Sequence, residues 1–424
     1  MSLLDSIVNS LGILRLTIPQ GIMLLLGLFF LYLSIVKKFE PLLLLPLAFG
    51  IILANLPIVG LGAYDYNPNG FHELTGQPLP RDDEGNLLAT CSAHQPGEPC
   101  NHTSFLQNLM NFLYTGIRMV IYPPLIFLCI GTMTDFGPLI ASPKSALIGL
   151  GGQLGIFIAM GVSFFVGNAL APLFTGFEGF TLREAAAIGI IGSSDGPTSI
   201  FAATRLAPDL LPAIAIAAFS YMALVPFIQP PIMLLLTTSK ERVAVMPEPK
   251  RVTQKQKVLF PIILALIVLL LVPAAGALVA MLCLGNLIRE SGVADRFVRA
   301  FQGDFLTILT FLVALSIGSS ATAARFLTPQ TLIILASGLL AFAFGTVGGV
   351  CVAKILYLTT GGKVNPLIGN SGVSAMPMAA RISQRMGQRF NSDNHLLMHA
   401  MGPIVSSTIG SAIIAGIFIS YFAK

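Results

Sequence analysis

Residues 189–201 read Gly189-Ile-Ile-Gly-Ser-Ser-Asp195-Gly-Pro-Thr-Ser-Ile-Phe201: one carboxylate at the centre of an apolar stretch. An ionisable side chain at membrane depth is costly and marks a functional position. Gly192, Gly196 and Pro197 break the run at the same place. Backbone opened at that depth is tolerated only inside protein or beside a water-filled cavity. A carboxylate beside freed carbonyls supplies the oxygen ligands that a hard cation such as Na⁺ requires. Such a carboxylate can also exchange its cation for a proton, because desolvation favours the neutral form and a bound cation the charged one.

The rest of the chain places this stretch in lipid. Its 424 residues are 10% charged, with a mean hydropathy of +0.82. A soluble protein of that composition would expose large apolar patches. The expected fold class is an all-α polytopic membrane protein of about ten helical segments, the length allowing ~20 residues per span. The net charge of +5 does not point to nucleic acid, because the basic residues cluster in short loops beside apolar runs, as cytoplasmic edges do. Residues 1–20 lack the basic start and small-residue site of a cleaved signal. No P-loop or dinucleotide glycine pattern occurs, so the energy for transport has to come from an ion gradient or from chemistry brought by a partner.

Apolar runs are expected near 17–36, 39–62, 104–131, 145–172, 183–206, 210–236, 258–288, 305–318, 328–358, 363–381 and 395–422, with a short amphipathic or half-inserted helix over 3–15. The domain reading is N-terminal helices over 1–62, a polar extracytoplasmic loop over 63–103 and a first membrane half over 104–236. A basic cytoplasmic linker follows over 237–257, then a second half over 258–424. The linker carries Lys240, Arg242, Lys250, Arg251, Lys255 and Lys257. Cys91 and Cys100 share the polar loop and are either a disulfide or two free thiols; Asn101 begins a sequon. Cys129, Cys283 and Cys351 lie in apolar segments and read as core. The second half has its own interruption, Asn365-Pro-Leu-Ile-Gly-Asn-Ser-Gly-Val-Ser374. Paired interrupted segments in two inverted-repeat-like halves point to a transporter-type site at the repeat interface.

The residues leave alternatives open. Asp195 is a cation ligand or a helix cap, with Gly196 able to cap and Pro197 suited to a helix start. Ser193 and Ser194 add hydroxyls. Asn365 is a cap before Pro366 or faces a cation. Gly369 and Gly372 serve close helix packing or backbone approach. Ser374 is bonded back to its own helix or free to bind. Arg381, placed at the end of that helix about two turns on, snorkels or receives a carboxylate. Tyr221 is a core hydrogen bond or part of an ion or proton path. Asp135 reads as a turn residue. His395 and His399 stand one helical turn apart, a spacing for a metal, but without further ligands they read as interface or core.

These segments resemble the β subunits of the sodium-pumping, biotin-dependent decarboxylases, the oxaloacetate, methylmalonyl-CoA and glutaconyl-CoA enzymes. The resemblance rests on Tyr122-Pro-Pro-Leu-Ile-Phe-Leu, Met133-Thr-Asp-Phe-Gly-Pro-Leu, Asp195-Gly-Pro-Thr, Tyr221-Met-Ala-Leu-Val-Pro, Gln229-Pro-Pro-Ile-Met, Gly285-Asn-Leu-Ile-Arg-Glu-Ser-Gly-Val, Asn365-Pro-Leu-Ile-Gly-Asn and Leu396-Leu-Met-His-Ala-Met-Gly-Pro, in that order. It implies a multi-pass subunit of the bacterial inner membrane. Such a subunit would decarboxylate carboxybiotin delivered by a partner and export Na⁺ with proton uptake. The biotin would sit on the partner and not on this chain. The implied partners are a biotin carrier/carboxyltransferase subunit, a small membrane subunit and further copies of the chain. The family's functional residues fall on Asp195, Tyr221, Asn365, Gly369, Ser374 and Arg381. Asp195 and Asn365 would bind Na⁺, with Ser194 a further oxygen; Tyr221 and Ser374 would serve a second ion site or the proton path. Arg381 would meet the carboxybiotin carboxylate or help expel the ion.

Two departures stand out. The family usually has Gly-Ala or Gly-Gly-Ala before its Asp-Gly-Pro, where this chain has Gly192-Ser193-Ser194. It usually has Asn after Met-Gly-Pro, where this chain has Ile404. One ion ligand then has to come from water, a carbonyl or the added serines. The alternative functional readings are a stand-alone Na⁺-coupled secondary transporter or Na⁺/H⁺ antiporter, and a membrane scaffold for a soluble enzyme.

Overall fold

The computed structural model describes residues 16–38, 40–56, 105–174, 177–248 and 251–423. The expectations placed on 3–15, on the 63–103 loop, on the Cys91/Cys100 pair and on the Asn101 sequon lie outside the described residues. Among the described residues there is helix and no strand. Among the described residues, seven helices are long and apolar enough to cross a membrane, or up to nine if each of two bent pairs counts as one span. The chain is a polytopic all-α membrane protein.

The described residues fall into two compact units, one from the chain up to Met119 with Thr310–Thr328, the other from Val120–Leu309 with Pro329–Lys424. In the first unit, α1 (Ile18–Ile35) starts in a capping box in which Thr17 and Gln20 satisfy each other's backbone N–H. It packs on α2 (Pro41–Asn55). Asn55 then splints a chain break: its amide donates to the carbonyls of Ile51 and Ala321, both at 2.8 Å, and accepts from the Ala323 N–H at 2.8 Å. A buried helix end without such a partner would leave backbone groups unsatisfied.

The second unit carries the site. Its principal helices are α3 (Tyr122–Met133), α4 (Ala146–Gly152), α5 (Leu154–Gly161), α6 (Leu182–Gly189), α7 (Gly196–Leu206), α8 (Leu211–Leu236), α9 (Gln254–Leu271), α10 (Gly276–Ser291), α11 (Pro329–Thr359), α12 (Met378–Phe390) and α13 (Leu397–Phe422). α9 exposes Leu259, Ile262, Ile263, Leu266, Ile267, Leu270 and Leu271, a surface that suits acyl chains and not water. α8 bends by 62° between Pro208–Met222 and Leu224–Leu236. Pro226 follows immediately and cannot donate to the carbonyl one turn earlier.

Three expectations need correction. The run 258–288 is two helices, because Pro273 ends the ladder after Leu271. The interrupted helix expected over 363–381, with Arg381 at its end, is a 3-10 helix over Pro366–Gly372 and, after Pro377, a helix that begins at Met378 and continues past Arg381 to Phe390. Cys129 and Cys283 are buried, but Cys351 is exposed: it falls on the outer side of α11, between the buried Val350 and Ala353.

Candidate functional site

The first interrupted segment is built from local signals. A Thr181/Glu184 capping box starts α6. The helix tightens to 3-10 geometry over Ile190–Ser193. Ser194 then takes a left-handed conformation with φ of 58°, which for a non-glycine residue costs on the order of 1–3 kcal/mol and is held only by its surroundings. Asp195 is extended and is itself the cap of α7, with Gly196 and Pro197 inside the helix. The capping role offered to Gly196 thus belongs to the carboxylate.

Asp195 is 4% exposed. Its Oδ1 accepts from the Thr198 N–H at 3.3 Å, and its Oδ2 accepts from the Thr198 hydroxyl at 2.7 Å and the Ser411 hydroxyl at 3.0 Å. Ser411 also lies 2.9 Å from the Thr408 carbonyl. One hydroxyl proton therefore faces two acceptors. With Asp195 ionised, Ser411 donates to the carboxylate. With Asp195 protonated, the carboxyl donates to Ser411 and Ser411 donates to Thr408. Both protonation states are satisfied without moving a backbone atom.

The second segment starts at Asn365, whose side chain caps a 3-10 helix over Pro366–Gly372. Val373 is extended, and the N–H of Ser374 donates to the carbonyl of Ser193 at 2.9 Å. The two interruptions therefore cross main chain to main chain. The Ser374 hydroxyl lies 2.9 Å from that of Ser407 on α13. Ser407 and Ser411 stand four residues apart on one helix face. Two polar links from one helix therefore reach the two interruptions, Ser411 to Asp195 and Ser407 to Ser374, while the Ser374 N–H meets the Ser193 carbonyl. Packing here relies on absent side chains. A Cβ on Gly152 would lie 1.8 Å from the Gly372 oxygen, and one on Gly349 would lie 2.1 Å from the Gly369 oxygen.

The remaining expected residues lie around these contacts. Ser194 is buried, and its hydroxyl has no hydrogen-bond partner among the described residues. Gly369 is pressed against the backbone of Gly349 and Val350 on α11. Asn365 is fully buried, but its groups are engaged elsewhere: Oδ1 accepts from the Leu367 N–H at 2.9 Å, and Nδ2 donates to the carbonyls of Arg242 at 3.0 Å and Ala244 at 2.8 Å. No contact among the described residues joins Asn365 to Asp195. The Tyr221 hydroxyl donates to the Leu335 carbonyl, and its ring lies beside Gly338 with Ile191. Arg381 is exposed in the first turn of α12. The continuous helix expected between Ser374 and Arg381 is absent, because Pro377 intervenes. Asp135 accepts from the Gly137 N–H at 2.8 Å and pairs with Lys257 at 3.1 Å, a turn residue with an ion pair added. His395 precedes α13, so the helical spacing to His399 does not hold. Among the described residues no three His, Cys, Asp or Glu side chains gather for a metal. Ile404 is buried in an apolar cluster with Ile148 and Val373 and offers no ligand.

Several polar residues come into the site that the sequence reading passed over. Thr198 and Ser411 hold the carboxylate, and Ser407 holds Ser374. The Gln229 amide donates to the Asn370 backbone carbonyl at 3.0 Å, and the Asn370 amide donates to Gln229 Oε1 at 3.0 Å and to the Ala379 carbonyl at 2.9 Å. Ser383 donates to Asn370. The signal for Ser407 and Ser411 was present as hydroxyls at i and i+4 in an apolar helix. Short polar side chains there usually bond their own backbone, so the signal was weak.

Buried polar oxygens at crossed, interrupted helices are the arrangement that ion-translocating membrane proteins such as secondary transporters use. More particularly, the chain belongs to the Na⁺-transporting oxaloacetate decarboxylase beta subunit family, whose family model matches residues 19–422. It is 45% identical to the oxaloacetate decarboxylase beta chain 2 of Salmonella typhi over 445 residues, covering 99% of each chain. It is 45% identical to the methylmalonyl-CoA decarboxylase subunit beta of Veillonella parvula over 421 residues, covering 99% of this chain and 98% of that one. The corresponding subunit of Propionigenium modestum is also 45% identical, with 98% of each chain covered.

Proposed function

We propose that this chain is the membrane subunit of a bacterial inner-membrane Na⁺-translocating decarboxylase. It removes the carboxyl group from carboxybiotin presented by a partner subunit and couples CO₂ release to Na⁺ export and proton uptake. The carrying observation is the Asp195 carboxylate, buried at the crossing and bonded to a serine hydroxyl that serves both its protonation states. That is the property an ion-for-proton exchanger needs. Ser194, Ser374 and the carbonyls opened at the two interruptions supply further oxygens. In this reading Asn365 and Gly369 shape the second segment, and Tyr221 lies beside α11 and Ile191 of the first.

The biotin belongs to the partner and brings a carboxyl group whose loss consumes one proton. Residues of this chain fit such a visitor. Arg381, Arg385 and Arg389 are exposed at four-residue intervals on α12, and a guanidinium receives a carboxylate through two parallel hydrogen bonds. Arg381 orients the group, while the proton leaves Asp195 as Na⁺ takes its place. Each charge exported against 100 mV requires about 2.3 kcal/mol. Relatives named for oxaloacetate and for methylmalonyl-CoA are equally similar to this chain, so the acid follows from the carboxyltransferase partner. A biotin carrier, a small membrane subunit and further copies of this chain complete the assembly.

The test is Asp195→Ala in the assembled complex, with decarboxylation assayed with and without Na⁺. Loss of Na⁺-stimulated turnover is expected; unchanged stimulation overturns the reading. Avidin capture from detergent is expected to bring this chain down with a biotinylated subunit. Na⁺ transport by the chain alone, without biotin, would instead make it a stand-alone transporter.

A further inference from the structure

Asn370, in the second interruption, is fully buried, and both ends of its side-chain amide are engaged. Its Nδ2 donates to Gln229 Oε1 at 3.0 Å and to the Ala379 carbonyl at 2.9 Å. Its Oδ1 accepts from the Ser383 hydroxyl, which also lies 3.1 Å from the Ser371 hydroxyl and 3.3 Å from the Leu367 carbonyl. Its backbone carbonyl accepts from Gln229 Nε2 at 3.0 Å. Gln229, Ser371 and Ser383 are fully buried as well. A buried polar network whose members are satisfied rigidifies the elements it joins.

Three elements meet at this residue. Ala379 and Ser383 stand one helical turn apart on the buried face of α12, so Asn370 grips that helix at two points. Arg381 lies midway between them, and at ~100° per residue it faces the opposite side, where it is exposed. Gln229 belongs to the part of α8 beyond its 62° bend and braces Asn370 from behind. No helix runs between Gly372 and Met378. Across that gap the second interruption and α12 are joined by the side-chain bonds of Asn370 and Ser383.

We infer that Asn370 is a positioning residue for Arg381: by gripping α12 on both sides of that residue, it fixes where the guanidinium stands relative to the crossing of the two interruptions. The inference rests on the role proposed above for Arg381 toward the carboxybiotin carboxylate. Asn370 itself touches neither that group nor an ion, because its polar atoms are spent within the protein. The crossing is held by other contacts, the Ser374 N–H on the Ser193 carbonyl and Gly369 against α11. Loss of the Asn370 grip therefore disturbs the handling of the carboxyl group and leaves the ion side in place.

The experiment uses the assembled complex with a ¹⁴C-carboxyl group loaded on its biotin. It reads the rate of ¹⁴CO₂ release at saturating Na⁺ and, separately, the Na⁺ concentration for half-maximal release. Asn370→Ala is expected to slow release by about tenfold or more, the scale on which misplacing a positioning group acts, with half-saturating Na⁺ where the wild type has it. Ser383→Ala loses one grip point and is expected to slow release less, and Ser383→Thr, which keeps the hydroxyl, to recover most of the rate. If Asn370 acts through Arg381, Asn370→Ala adds little in an Arg381→Ala background, because residues acting as one unit are not additive. A wild-type rate in Asn370→Ala, a full further loss on top of Arg381→Ala, or a Na⁺ requirement that rises as far as the rate falls each overturns the inference. Should Asn370→Ala fail to assemble, Ser383→Ala decides by the same measurements, and a wild-type rate there overturns it. A wild-type rate in Arg381→Ala would overturn the underlying role of Arg381, whereas a slow Arg381→Ala beside a normal Asn370→Ala sinks this inference alone.

Discussion

The backbone N–H of Ser374 donates to the carbonyl oxygen of Ser193 across 2.9 Å. A contact between main chains survives side-chain exchange on either segment, so the crossing is a property of the backbone path. The side chains then decide what the crossing holds.

Ser411→Ala leaves the Asp195 carboxylate with Thr198 as its sole hydroxyl donor. A hydrogen bond to a charged group contributes about 1.5–3 kcal/mol, so half-saturating Na⁺ is expected to rise by roughly ten- to a hundredfold, while Ser411→Thr keeps most of the function. Na⁺ titration of decarboxylation in the reconstituted complex checks this, and equal loss in both variants would point to packing instead.

Gly152→Ala sets a methyl 1.8 Å from the Gly372 oxygen. Overpacking of this kind costs about 3 kcal/mol, and a large fall in thermal midpoint or loss of assembly is expected. Gly161→Ala is the control, because nothing lies within 4 Å of a Cβ there. Its midpoint should not fall.

Arg242→Ala removes the donors to the Leu234 and Thr237 carbonyls and a guanidinium 5.0 Å from the Phe390 ring centre. The expected destabilisation is about 1–3 kcal/mol. Because the Arg242 carbonyl also holds Asn365 and Asn394, the Na⁺ requirement should rise with it. Arg242→Lys should recover stability only in part, since a point charge does not reproduce the planar fork. Thermal melts run beside Na⁺ titrations separate the two effects.

Glu241 lies outside the spans, in the linker. Burial opposes its charge, but the backbone N–H and hydroxyl of Thr238 and the Lys354 ammonium outweigh that and hold the carboxyl below its ordinary value of 4.5. A carboxyl depressed on folding stabilises above its unfolded value, and that contribution disappears as pH falls through the folded value. The midpoint advantage of wild type over Glu241→Gln should therefore be full above about pH 4.5 and vanish in stronger acid. A difference that persists at low pH would refute the assignment.

The interruption at Gly192–Pro197 was legible because its signals are local: a lone carboxylate, glycines and a proline in an apolar run. The membrane class followed from composition for a similar reason. The late start of α12 had one local signal, Pro377, which the reading passed over; the reach of Asn370 to the Ala379 carbonyl had none. Asn365 read as a ligand or a cap. The structure adds an anchor to the linker that no local pattern encodes.

Gly152 and Gly349 seat the carbonyls of Gly372 and Gly369 so closely that not even a methyl group fits between them. The second interrupted segment is thereby seated directly on the backbone of α4 and α11. A movement that opened the site toward either side of the bilayer would have to carry these contacts along as one body.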